Sequence, residues 1–148
     1  MAVKKKLMMP DAESECVSIG IVSPLKDYRL CWFLNNCLDI DLQKVNDLDI
    51  TDPQKRKQLL FTRFKYEEPV TRSEFYVLQN KINAAYLLPE IKQADFILLI
   101  KGSYYQQHQK EIINKIKTVQ EIQITVPFDM ATLKSKKNIL LYDDEKRK

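Results

Sequence analysis

Glycine is almost missing: Gly20 and Gly102 are the only two in 148 residues. A glycine-rich phosphate cradle needs more than that. Neither GxGxxG nor GxxxxGK followed by Ser or Thr occurs, so nucleotide binding by those routes is set aside. Histidine is rarer still. His108 has no second His or Cys at ligand spacing, so no metal site is expected; in helical phase it neighbours Tyr104, Tyr105 and Ile112 and reads as a half-exposed helix residue. There is no GxSxG elbow, and no Cys–His or Ser–His–Asp set can be read from spacing. No catalytic residue and no cofactor is expected.

Long apolar runs are also absent. The longest, Phe96-Ile97-Leu98-Leu99-Ile100, is strand-sized and far short of the roughly 20 residues that span a bilayer. The opening MAVKKKLMMPDAESE turns acidic before an apolar stretch can form, so a secretory signal is not expected. The three cysteines Cys16, Cys31 and Cys37 are few, odd in number and set among apolar neighbours. They fit small buried hydrophobes in a reducing, cytoplasmic setting. Cys31 and Cys37 lie six residues apart, which is not a whole number of helical turns, so they do not suit a shared metal.

What remains is ordinary globular material, 45% hydrophobic and 30% charged, with a net charge of +4. Its basic excess sits in Lys4-Lys5-Lys6, Lys55-Arg56-Lys57 and the Lys-rich end, offset by acidic neighbours. A dedicated nucleic-acid binder concentrates charge more than this, and no DNA-binding motif is present. One domain over 15–142 is expected, with flexible arms at 1–14 and 143–148.

The β-rich run CVSIGIV (Cys16 to Val22) predicts a buried strand. Ser23-Pro24 predicts an N-cap and first turn for a helix through LKDYRLCWFLNNCL, with Leu30, Leu34, Cys37 and Leu38 inward. Strands are expected near Leu42 to Leu48, over Gln58 to Tyr66 and over Glu74 to Asn80, the last two as a hairpin. Leu88-Pro89-Glu90 predicts a helical turn. Asp95 to Lys101 predicts a strand covered on both faces. Ser103 and Gln106 form a capping-box pattern opening a second helix to about Lys117. Val119 to Val126 alternates as a strand with Ile122, Ile124 and Val126 inward, and MATLKSKKNILL ends in a helical turn. The fold class is therefore α+β: a mostly antiparallel or mixed sheet with two main helices on one face. An elaborated ferredoxin-like, split βαβ arrangement is the nearest pattern.

The segments LPEIKQADF, SIGIVSPLKDYRLCWFLN and LKSKKNIL resemble the IPExxxVDY family of small Bacteroidetes proteins, across roughly Ser18 to Leu140. Leu88 stands for the motif's Ile, Ala94 for its Val and Phe96 for its Tyr. The resemblance implies a cytoplasmic bacterial protein and carries no catalytic residues.

Three places stand out. Asp27, Tyr28 and Arg29 open the first helix, where an acid complements the helix dipole and Arg29 offers a fork for a carboxylate. Glu90 and Asp95 bracket the turn before the apolar strand. Arg29 paired with Glu90 or Asp95 would staple helix to sheet. Alternatively Arg29, Glu90 and Lys101 rim a site for a partner or an anionic ligand. In Phe61-Thr62-Arg63-Phe64-Lys65-Tyr66, Phe61, Arg63 and Lys65 share one face. An aromatic flanked by cations suits single-stranded RNA, and an edge strand guarded by charge looks the same. The leading expectation is a non-catalytic binding or adaptor protein acting through protein contact or self-association, since Trp32, Phe33, Tyr104 and Tyr105 exceed what one small core needs. RNA or ribosome association and a small-molecule regulatory domain are the alternatives.

Overall fold

The apolar runs become strands where the sequence placed them. The structure, a computed structural model, describes residues 16–52, 57–82 and 84–134. The expected arms at 1–14 and 143–148, Lys55-Arg56 and the end of the last helical turn lie outside the described residues. In chain order the elements are β1 (Cys16–Val22), α1 (Asp27–Leu38), β2 (Gln43–Asp52), β3 (Lys57–Glu67), β4 (Glu74–Gln79), β5 (Lys81–Ile82) and β6 (Ala85–Tyr86). A 3₁₀ turn (Pro89–Ile91), β7 (Phe96–Lys101), α2 (Ser103–Gln106), α3 (Gln109–Ile116), β8 (Ile124–Phe128) and a 3₁₀ turn (Met130–Thr132) follow.

Six strands form one sheet in the order β2-β3-β4-β7-β1-β8, every ladder antiparallel. β7 and β8 therefore run parallel with β1 between them, joined through α2 and α3. β1 and β4 run parallel with β7 between them, joined through α1. These are two interlocked split βαβ units. The hairpin of β2 and β3, inserted after α1, widens the sheet beyond β4. β2 is an edge with a bulge between Val45 and Leu48 and exposed Lys44 and Asp49, features that discourage further strand pairing.

Alternation sends side chains to two faces. Val17, Ile19, Ile21, Phe75, Val77, Phe96, Leu98 and Ile100 pack beneath Leu30, Cys31, Leu34 and Leu38 of α1 and Ile112 and Ile116 of α3. Both helices thus lie on one face. The opposite face, with Phe61, Tyr76, Leu78, Ile97 and Leu99, is covered by Leu87, Leu88, Ile91, Ala94 and Met130. Gly20 permits the close approach there. A Cβ on it would stand 3.0 Å from Ala94 Cβ and 3.3 Å from Ile91 Cγ2.

That second cover has little regular structure, so its backbone groups need other partners. Fully buried Asn80 supplies them. Its Nδ2 donates to Ile91 O and Ala94 O, both at 3.0 Å, and its Oδ1 accepts from Leu88 N at 2.8 Å. The LPEIKQADF segment is thereby folded onto the sheet.

Several local expectations are corrected. Ser23 does not cap the first helix: its hydroxyl donates to Glu121 O at 2.9 Å and accepts from Leu25 N at 3.2 Å. The helix starts at Asp27, with Lys26 as N-cap and no side-chain cap. Gly102, not Ser103, is the N-cap of α2, and the capping box does not form. The expected second helix is two pieces, because His108 Nδ1 lies 2.7 Å from Tyr104 O, while its own N–H turns to Tyr105 O. The last strand begins only at Ile124, which is exposed; Val119 and Ile122 are buried in turns, with Ile122 N bonded to Val119 O.

Candidate functional site

The inner face of α1 is committed to the core, and its outer face carries the largest exposed rings of the helical layer. Tyr28 is 60% exposed and Trp32 57%. They lie four residues apart and so share one side of the helix. Arg29 stacks over both Trp32 and Phe33, with its guanidinium carbon 5.9 and 5.4 Å from the ring centres. Trp32 and Phe33 meet edge to face at 5.0 Å. These contacts hold large polar-tipped side chains in place without burying them.

Beside Phe33 the helix borders an open groove of about 480 Å³, lined by Asn36 and Cys37 from α1 and by Val119 and Glu121 from the connection after α3. Charge is graded along this surface. Lys26 and Arg29 are exposed at the N-terminal end, where Asp27 Oδ1 already accepts from Tyr28 N at 2.6 Å. Asp39 and Asp41 are exposed at the C-terminal end. The chain turns there because Asp39 takes a left-handed conformation (φ 59°) and Asn35 Oδ1 accepts from Leu42 N at 2.8 Å.

Of the residues singled out from sequence, Asp27, Tyr28 and Arg29 stand together here; Glu90, Asp95 and Lys101 do not join them. The Arg29 staple is not formed. α1 covers one face of the sheet, whereas the turn bearing Glu90 packs on the other. Asp95 instead accepts from Ser23 N at 2.9 Å and pairs with Lys81 at 3.2 Å. Lys101 lies at the far end of β7 on the second face, so the proposed rim of Arg29, Glu90 and Lys101 is likewise not assembled.

The strand read as an RNA platform is also changed. β3 is internal, between β2 and β4, not an edge. Phe61 is 1% exposed and cannot stack a base. Arg63 and Lys65 instead converge with Lys101 on the ring of Tyr76, at 6.0, 5.5 and 5.2 Å, and Tyr76 OH donates to Glu74 at 2.7 Å. This convergence across β3, β4 and β7 was invisible in sequence, since only the register brings Lys101 beside Tyr76.

Cys31 is buried, whereas Cys16 and Cys37 are half-buried. Burial, reinforced by Asp27, pushes Cys31 up to about 12, and burial also raises Cys16 and Cys37. Among the described residues no cluster of His, Cys, Asp or Glu could hold a metal ion, and no helix is long and apolar enough to cross a membrane. His108 is half-exposed and stacks on exposed Tyr104 at 4.4 Å; Tyr105 packs on Phe75. Compared with known proteins, the chain matches no family model and no curated protein.

Proposed function

We propose that this chain is a non-catalytic binding module that works through protein–protein contact, with the outer face of α1 as its docking surface. One observation carries the reading: Tyr28, Arg29 and Trp32 are exposed together on a single helix face. Those three residue types dominate binding energy at protein interfaces. The stacking of Arg29 on Trp32 lowers the entropy cost of ordering those two in a complex. The position of the module in a bacterial cytoplasm rests on its resemblance to the IPExxxVDY proteins and on three unbridged cysteines. An RNA reading has less support, because the expected stacking ring is in the core.

A photo-reactive amino acid replacing Tyr28 tests this in the native cell, against the same group at Val70, an exposed loop position on another part of the chain. Position 28 should yield discrete adducts with polypeptide, and position 70 none. Equal yields at both positions, or adducts with RNA alone, would remove the proposal.

A further inference from the structure

We infer that the occupant of this face is a second copy of the chain, its α1 packed antiparallel to the first about a two-fold axis near Trp32; the inference rests on the protein-contact reading above. An isologous pair buries the same patch twice, so the patch must be complementary to itself when reversed. The α1 surface meets that requirement. Lys26 precedes Trp32 by six residues and Asp39 follows it by seven, about 9 and 10 Å along the axis. Reversal about Trp32 thus sets Lys26 of each copy level with Asp39 of the other along the axis, though about a third of a turn round the helix from the Trp32 face. Arg29 falls opposite the second copy's Asn35, about 6 Å along the axis from its Asp39 and within reach of a long side chain. Tyr28 comes opposite Asn36, whose amide donates to Trp32 O at 3.0 Å and leaves its carbonyl oxygen to accept from a tyrosine hydroxyl.

Charge favours this occupant over a partner of one sign. A uniformly acidic segment would suit Lys26 and Arg29 but meet Asp39 and Asp41; a basic one would meet the reverse conflict. The antiparallel arrangement satisfies both ends and also opposes the two helix dipoles, each positive end beside a negative one. Trp32 lies at the centre, where a desolvated ring contributes most. The groove beside Phe33 extends the surface, since one helix alone presents less than the area of a standard interface.

The test uses the purified full chain in sedimentation equilibrium over a micromolar concentration series, read together with tryptophan emission. Trp32 is the only tryptophan, so emission reports on this surface alone. A monomer–dimer equilibrium is expected, with a blue shift and protection from quenching that follow dimer formation. Trp32→Ala and Arg29→Glu should each weaken the dimer about tenfold or more, and salt should weaken it too. Combining Arg29→Glu with Asp39→Lys in one chain restores opposite charges and should recover most of the loss; Asp39→Asn separates charge from left-handed backbone strain. A chain monomeric throughout the series overturns the inference, as does a dimer indifferent to Trp32→Ala or further weakened by the charge exchange. If the pure chain is monomeric while position 28 still cross-links to another polypeptide, only the dimer falls. Without such adducts, the protein-contact reading falls with it.

Discussion

The two faces of the sheet are covered by different means. On one, α1 and α3 satisfy their own backbone groups and need contribute only apolar side chains. On the other, an irregular stretch from β5 to Asp95 must find partners for its peptide groups, and a single buried amide, Asn80, serves three of them. The helical cover is spread over many interchangeable hydrophobes. The irregular cover hangs on one polar residue and one close approach. A fold can therefore be tolerant on one side and brittle on the other, though both sides are equally buried.

The largest expected effect comes from removing that amide. Asn80→Leu strands the N–H of Leu88 and the carbonyl of Ala94 in the interior and leaves Ile91 O with the Ala94 N–H alone, and should cost about 3–5 kcal/mol. Hydrogen exchange should show amides of 81–95 opening before those of β1 and α1. Leu34→Ala, on the helical side, should cost about 2–5 kcal/mol through the cavity it leaves. There the exchange order of 81–95 should stay as in the parent. If the two variants loosen the same amides, the faces are not independent and the comparison fails.

Gly20→Ala probes the close approach. The new methyl would sit 3.0 Å from Ala94 Cβ, so cover and sheet must separate by a few tenths of an ångström. A loss of about 1–3 kcal/mol is expected by denaturant unfolding, as for other overpacked cores. Adding Ala94→Gly should return much of it, since the two methyls compete for one space. No recovery would mean that the strain arises elsewhere.

Alkaline pH acts on the helical side through Cys31. Its folded value of about 12 lies above the ordinary 9.0. The unfolded chain therefore ionises first, and stability is whole below pH 9 and falls as pH rises towards 12. One thiol contributes about 1.4 kcal/mol per pH unit in that window. Cys31→Val removes this component, so its alkaline unfolding curve should be shallower than the parent's. Identical slopes would show that the thiol is not held neutral by the core.

Sequence patterns made the strands legible because burial alternates or runs continuously along a few neighbouring residues. CVSIGIV, QLLFTRFKY and DFILLIK all lie where their patterns placed them, and FILLI is buried on both faces. The split βαβ order followed from their succession. What was not legible depends on distant contacts. Ser23 looked like a cap, yet its bonds go to Asp95 and Glu121, 72 and 98 positions away. Asn80 looked like a strand-ending polar residue. Arg29 and Glu90 were matched by charge alone, with nothing local to say that a sheet separates them. Trp32 stood out in sequence only as one of four rings in excess of a small core; its exposure follows from the direction α1 takes once Leu30, Leu34 and Leu38 face inward.

The smallest expected effect on stability is at Trp32 itself, and it distinguishes a binding surface from a cover. Leu34 and Trp32 are two positions apart on α1 and point to opposite sides, one into the core and one into solvent. Were Trp32 part of the packing, trimming it would cost several kcal/mol, as for any buried aromatic. Since its ring touches mainly Phe33 and Arg29 on the same helix, Trp32→Ala should change the unfolding free energy of the isolated chain by no more than about 0.5 kcal/mol. The measurement is denaturant unfolding followed by circular dichroism, at concentrations low enough that chains do not associate. The same substitution should weaken association about tenfold or more. A stable chain with lost association places the energy of Trp32 between molecules. A chain destabilised as much as Leu34→Ala would put that energy within one molecule and make the outer face of α1 part of the fold.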